Sequence, residues 1–210
     1  MVAIIDYHAG NLTSVRLALE AIGAQGTVTS DPADIRAAER ILFPGVGAAG
    51  AAMENLRALG LADVIRERVA AGVPFLGICL GTQILFDFSE EDGGVPVLGI
   101  IPGTVKKFHP TNPREKVPEM GWNQVRLLRP HPIFDGIPDG MDFYFVHSYY
   151  PAPALADDAL GATTYGGVEF ASAVGRGNVV ATQFHPEKSG KAGLRLLSNF
   201  LSWTPAPEVR

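Results

Sequence analysis

The stretch Val73-Pro74-Phe75-Leu76-Gly77-Ile78-Cys79-Leu80-Gly81-Thr82-Gln83 constrains this chain more than any other. An apolar run reads as a buried strand, it ends at the only cysteine, and helix-forming residues follow at once. Gly77 and Gly81 bracket Cys79 in a G-x-C-x-G pattern. A nucleophile at a sharp strand-to-helix turn needs that spacing, because side chains at the flanking positions would collide. The turn also sets the sulfur at a helix N-terminus, where free N–H groups favour a thiolate. A free thiol titrates near ~8.5, and such surroundings lower it to roughly 3.5–7.5. The competing reading is an inert core cysteine. The glycine bracket favours the nucleophile.

Around this stretch the pattern alternates. Val2–Asp6, Gln25–Thr29, Arg40–Phe43 and Val73–Cys79 read as strands. Between them Leu12, Val15, Leu19 and Ile22 recur at helical spacing, Asp31-Pro32 opens a short helix, and Ala48–Leu59 and Leu61–Ala71 read as helical. A helix is expected from the cysteine to about Phe88. From Leu98 onward, short strands (98–101, 104–108, 122–128, 142–146, 159–165, 170–176, 179–183) alternate with Pro- and Gly-rich turns. The expected fold is α/β, with a mostly parallel central sheet, helices on both faces and an additional antiparallel β layer. Residues 1–203 form one domain and 204–210 a flexible tail. A last helix carries Leu194, Leu197, Phe200 and Leu201 on its apolar face, with Ser189 as its cap.

Open α/β sheets gather their sites at the C-terminal ends of strands, and several motifs fall there. Asn11 follows the first strand and suits either helix capping or a site. Pro44-Gly45-Val46-Gly47 offers backbone N–H groups to an oxyanion, or makes an ordinary turn. Val146-His147-Ser148-Tyr149-Tyr150 is a polar strand end that fits a small ligand or a structural hydroxyl cluster. Glu90, Glu91 and Asp92 read as a solvated loop without chemistry. Gln183-Phe184-His185-Pro186-Glu187 ends the last strand. His185 and Glu187, two apart in extended chain, point the same way, so the carboxylate can set the imidazole tautomer.

Together these parts describe acyl transfer by a Cys-His-acid triad. His185 takes the proton from Cys79, and the thiolate attacks a carbonyl carbon. The oxyanion is held by the N–H of Leu80 and by one from the Gly45–Gly47 loop. One cysteine and scattered histidines give no zinc spacing, and neither a Walker A loop nor a G-x-G-x-x-G motif occurs. No metal or cofactor is expected. The net charge of −5 argues against a general nucleic-acid partner, and the apolar runs are too short and broken for a signal peptide or membrane span. A lone thiol suits a reducing, cytoplasmic setting.

Gly77-Ile78-Cys79-Leu80-Gly81-Thr82-Gln83 with His185-Pro186-Glu187 resembles the class I glutamine amidotransferases. Pro44-Gly45-Val46-Gly47, Met120-Gly121-Trp122-Asn123, His147-Ser148-Tyr149-Tyr150 and His185-Pro186-Glu187-Lys188-Ser189 resemble, within that family, the glutaminase subunits of imidazole glycerol phosphate synthases. The match runs from Asp6 to the last helix. It implies hydrolysis of glutamine to glutamate and ammonia through a thioester, without a cofactor. The ammonia passes through a channel to a (β/α)8-barrel cyclase subunit, which forms imidazole glycerol phosphate and aminoimidazole carboxamide ribotide in histidine biosynthesis. The resemblance makes Cys79 the nucleophile, His185 the base and Glu187 its orienter. Val46, Gly47 and Leu80 serve the oxyanion. Gly45, Gly47, Gln83, Ser148 and Tyr149 hold glutamine, and Asn11, Trp122, Asn123 and Lys188 lie toward the partner. Partner binding is expected to rearrange the glycine loop. His8, Thr82 and Glu119 depart from the pattern. The neighbouring readings are another amidotransferase subunit, a stand-alone γ-glutamyl hydrolase and a non-catalytic copy.

Overall fold

A computed structural model describes residues 1–9, 11–112 and 114–206. The expected tail at 204–210 therefore lies mostly outside the described residues. The first half alternates strand and helix as the sequence pattern requires. It runs β1 (Val2–Ile5), α1 (Leu12–Ala21), β2 (Thr27–Thr29), α2 (Pro32–Ala37), β3 (Arg40–Gly45), α3 (Ala49–Ala58), α4 (Leu61–Ala70) and β4 (Phe75–Cys79). Asp31 caps α2 by accepting the Ala33 N–H at 2.8 Å. Gly60 (φ 68°) ends α3 and lets the chain turn into α4.

A single-turn helix, α5 (Leu80–Gln83), follows the cysteine. The remaining strands are β5 (Phe88–Ser89), β6 (Val95–Pro96), β7 (Gly103–Lys107), β8 (Glu119–Leu127), β9 (Met141–His147), β10 (Tyr149–Pro153), β11 (Ala159–Tyr165), β12 (Val168–Arg176) and β13 (Val179–Thr182). Helix α6 (Gly190–Ser202) closes the chain. A nine-stranded sheet has the order β2-β1-β3-β4-β13-β12-β11-β8-β9. From β2 to β13 its neighbours are parallel, and from β13 to β9 antiparallel. The antiparallel layer expected from the sequence divides in two. Four strands extend the main sheet, and a small second sheet, β10-β7-β5-β6, is mixed, with β5 and β7 parallel and its other pairs antiparallel.

Period-two alternation builds a core on each face. Ala3, Ile5, Ile41, Phe43 and Phe75 pack under α2, α3 and α4. Ile4, Leu42, Leu76 and Ile78 pack under α1 and α6. Strand β4 lies between β3 and β13, with Gly45 opposite Cys79. The elbow is thus flanked by the glycine loop after β3 and the histidine segment after β13.

Four local expectations need correction. The helix after Cys79 stops at Gln83, because residues 98–101 fold back onto it. The N–H groups of Leu98, Gly99 and Ile100 take the carbonyls of Ile84, Phe86 and Leu85 at 2.8, 2.7 and 2.8 Å. That same exchange makes 98–101 a docked loop rather than a strand. Ser189 does not cap α6. Its hydroxyl donates to the His185 carbonyl at 2.6 Å and accepts the Tyr144 N–H at 3.0 Å. The buried face of α6 is Gly193, Leu196, Leu197 and Phe200, and the expected Leu194 and Leu201 are only partly covered.

Candidate active site

Cys79 sits at φ 55°, ψ −108°, a region that β-carbon-bearing residues avoid. The flanking glycines are there because nothing larger fits. A β-carbon on Gly77 would stand 2.7 Å from the Gly81 carbonyl oxygen, and one on Gly81 only 1.8 Å from the Phe43 carbonyl oxygen. Because α5 is one turn long, it supplies a few free N–H groups and little macrodipole.

His185 reaches the sulfur from the β13 end. Its Nδ1 is 2.8 Å from Glu187 Oε1, and both side chains are almost wholly buried. The pair does not meet through strand alternation as expected. Pro186–Lys188 is a 3₁₀ turn that curls Glu187 back beneath the ring. The His185 backbone is pinned by its N–H on the Tyr144 carbonyl (2.9 Å). With Nδ1 facing a carboxylate, Nε2 is the atom left for chemistry. It is buried without a well-formed hydrogen bond among the described residues. Burial opposes a charged imidazole, but the Cys79 sulfur and the Glu187 carboxylate outweigh it, pushing His185 up to about 10.

Cys79 and His185 open onto a cavity of about 310 Å³. Val46, Gly47, Leu80, Gln83, Glu91, His147, Ser148 and Tyr149 also line it. Gly45 does not: it lies buried against the Gly81 backbone and Leu80. The Val46 N–H, expected to serve an oxyanion once partner binding rearranges its loop, is engaged elsewhere in this structure. That N–H donates to the Tyr7 hydroxyl at 3.0 Å, and the same hydroxyl donates to the Val46 carbonyl at 3.0 Å. Burial pushes Tyr7 up to about 12, with the Val46 bond opposing and Cys79 and Asp6 adding to the rise. It therefore keeps the proton it donates. Gly47, at φ 96°, holds a conformation that lets this loop turn.

Gln83 Nε2 donates to the Tyr149 carbonyl (3.0 Å) and to Gln183 Oε1 (2.9 Å). Both N–H groups are spent, so only its carbonyl oxygen is left to bond a ligand. Glu91 is the residue that sequence reasoning missed. The acidic loop is not merely solvated: Glu91 accepts the Ala49 N–H (2.7 Å) and Asp92 the Gly50 N–H (3.3 Å). Ala48, at the N-cap of α3, has no side-chain oxygen, and the distant loop supplies the acceptors. Half-buried Glu91 also faces the cavity. Burial raises its pKa, the Ala49 bond opposes this, and Asp92 adds to the rise.

The glutamine amidotransferase class-I family model matches residues 3–203. The chain belongs to the class-I glutamine amidotransferases. It is 51% identical to the imidazole glycerol phosphate synthase subunit HisH of Dehalococcoides mccartyi strain CBDB1, over 95% of this chain and 96% of that one. It is 53% identical to the HisH subunit of Moorella thermoacetica, over 95% and 93%. The crystal structure of a glutamine amidotransferase superposes with a TM-score of 0.74 at 20% identity, covering 96% of this chain and 97% of the other. That last likeness concerns the fold.

The residues expected at the partner face of this amidotransferase divide. Trp122 is 59% exposed and meets Tyr144 edge-on at 6.1 Å. Lys188, also exposed, holds Nζ 5.7 Å from the centroid of the same ring. Asn123 points the other way, as strand alternation requires, and donates to Glu119 (2.8 Å) and the Thr164 carbonyl (3.1 Å). Asn11 accepts from the Ser14 hydroxyl (2.8 Å) and makes no side-chain cap of α1. Among the described residues no group of three or more His, Cys, Asp or Glu is placed to hold a metal ion. No helix among them is long and apolar enough to cross a membrane.

Proposed function

We propose that this amidotransferase is the glutaminase subunit of an imidazole glycerol phosphate synthase and acts in histidine biosynthesis. One observation carries the chemistry. A cysteine at a left-handed strand-to-helix turn shares a cavity with a buried imidazole whose far nitrogen is held by a carboxylate. Half identity over nearly the full length of HisH subunits supports the pathway.

In this reading His185 Nε2 accepts the Cys79 proton, and Sγ attacks the side-chain amide carbon of glutamine. The charge that develops on the amide oxygen is met by the Leu80 N–H and by an N–H of the Gly45–Gly47 loop. His185 then protonates the departing nitrogen, the C–N bond breaks, and ammonia leaves a thioester on Cys79. Water, deprotonated by His185, attacks the thioester and releases glutamate. Glu187 holds the ring through each transfer without being protonated itself. The substrate α-ammonium is assigned to Glu91 and the Gln83 carbonyl oxygen, and its α-carboxylate to the Ser148–Tyr149 segment and Gly47.

Ammonia is then delivered to a (β/α)8-barrel cyclase partner. Support for a docking face comes from exposed Met120, Trp122 and Lys188. The Tyr7–Val46 contact gives the partner something to change, since the second oxyanion donor is not free in this state. A cytoplasmic location accords with a lone thiol.

Cys79→Ala tests the reading. It should abolish glutamate release while leaving the assembled synthase able to use free ammonia. Retained glutamine hydrolysis would remove Cys79 from the mechanism.

A further inference from the structure

Gln183 is fully buried, and the mechanism above gives it no role. Its orientation follows from a single unambiguous atom. The Tyr149 carbonyl oxygen can only accept, so the Gln83 side-chain atom 3.0 Å from it is the nitrogen. The second N–H of that nitrogen points at Gln183, 2.9 Å away, and the atom it meets must be an oxygen. The Gln183 nitrogen therefore faces the other way, and it lies 3.6 Å from Cys79 Sγ. On another side of the sulfur stands the Val146 carbonyl oxygen at 3.8 Å. That oxygen suits the S–H of a thiol and repels a thiolate. Once His185 has taken the proton, the Gln183 amide is a neutral donor aimed at the bare sulfur.

We propose that Gln183 is a further catalytic residue, whose side-chain N–H donates to the Cys79 sulfur and stabilises and aims its thiolate. Gln83 fixes which end of the Gln183 amide faces the sulfur, so the floor of the substrate cavity and the nucleophile share one hydrogen-bonded chain. A donor on sulfur favours the anion over the thiol. It also restricts the direction from which the lone pair can attack. The proposal rests on Cys79 being the nucleophile.

The test is the pH dependence of Cys79 alkylation by iodoacetamide in the full chain, which needs neither glutamine nor a partner. The titratable groups around the sulfur are His185 with Glu187, Tyr7 beneath, and Glu91 and His147 across the cavity. All remain in the variants compared. Gln183→Glu keeps the shape and sets a carboxylate against the sulfur. Its alkylation midpoint should rise by about one pH unit, which is about ten-fold slower reaction at a pH below both midpoints. Gln183→Met removes the donor and should move the midpoint the same way by less. A purely structural Gln183 would lower Tm and leave the Gln183→Met midpoint in place, and that result overturns the proposal. For evidence independent of variant folding, the Gln183 side-chain amide protons of the wild-type chain should shift in NMR with the alkylation midpoint. An amide resonance that ignores the sulfur's titration also overturns it. A wild-type thiol inert to iodoacetamide would remove the nucleophile reading as well, whereas a normal wild-type profile with an unmoved Gln183→Met midpoint removes Gln183 alone.

Discussion

The Tyr7 hydroxyl stands 3.0 Å from both the amide nitrogen and the carbonyl oxygen of Val46, and so ties down the main chain of the loop opposite the nucleophile. Tyr7 is itself fixed: it is 1% exposed and packs edge-on against Phe43 at 5.3 Å. A loop held in this way withholds the Val46 N–H from the cavity. One missing oxyanion donor costs about 10²–10³ in rate.

Tyr7→Phe removes the tie and keeps the ring. Glutamate release by the isolated chain should then rise several-fold, and the stimulation given by the partner should shrink by a similar factor. Stability should fall by about 1–3 kcal/mol, the range for a buried polar group that loses its partner. Steady-state kinetics with and without the cyclase barrel, together with thermal unfolding, read both effects. Unchanged basal activity would show that Tyr7 does not hold the loop back.

Gly81→Ala places a β-carbon 1.8 Å from a backbone oxygen of β3, which cannot swing aside as a side chain would. A loss of about 3 kcal/mol or more is expected, roughly 6–12 °C in Tm for a chain of this size. Differential scanning calorimetry measures it directly. A wild-type Tm would mean that the elbow is looser than its geometry.

Glu91→Gln keeps an acceptor for the Ala49 N–H but removes the charge that faces the cavity. If that carboxylate receives the substrate α-ammonium, KM for glutamine should rise about ten-fold or more, since charge-assisted bonds are worth roughly 1.5–3 kcal/mol. The value of kcat should change less, and Tm only slightly. An unaltered KM would limit Glu91 to capping α3.

Gly77 and Gly81 announced the elbow because their requirement is steric and local. The two cores were legible for a similar reason, since alternation along β1, β3 and β4 assigns each side chain a face. What the pattern did not carry was non-local. Nothing near Phe86 says that residues 98–101 will take the carbonyls of Ile84, Leu85 and Phe86. Nothing in Glu90-Glu91-Asp92 says that α3 begins with an alanine lacking a cap. His185 and Glu187 meet through a turn rather than through strand alternation, because the proline that suits an extended chain also opens a 3₁₀ turn. Tyr144, which joins Trp122 to Lys188, sits in an unremarkable aromatic strand.

His131 predicts an acid limb of stability away from the site. Burial lowers it to about 4, with Arg129 adding to the drop and Asp135 opposing, and its Nδ1 accepts the Ile133 N–H at 3.2 Å. A histidine whose pKa is depressed in the folded state costs nothing above its unfolded value of ~6.5. As pH falls from there toward 4, the unfolded chain gains a proton that the folded one refuses, and stability is lost. His131→Asn keeps an acceptor and removes the titration, so its urea midpoint should be flatter over that window. An equally steep acid limb in the variant would assign the loss to other groups.

The central claim is most directly tested by glutamate release from glutamine, measured first with this chain alone and then with the cyclase barrel and its nucleotide ligand. Low activity alone and a large rise in the complex, both abolished by Cys79→Ala, are the predicted result. High activity alone, unmoved by the partner, would contradict the account and point to an independent hydrolase.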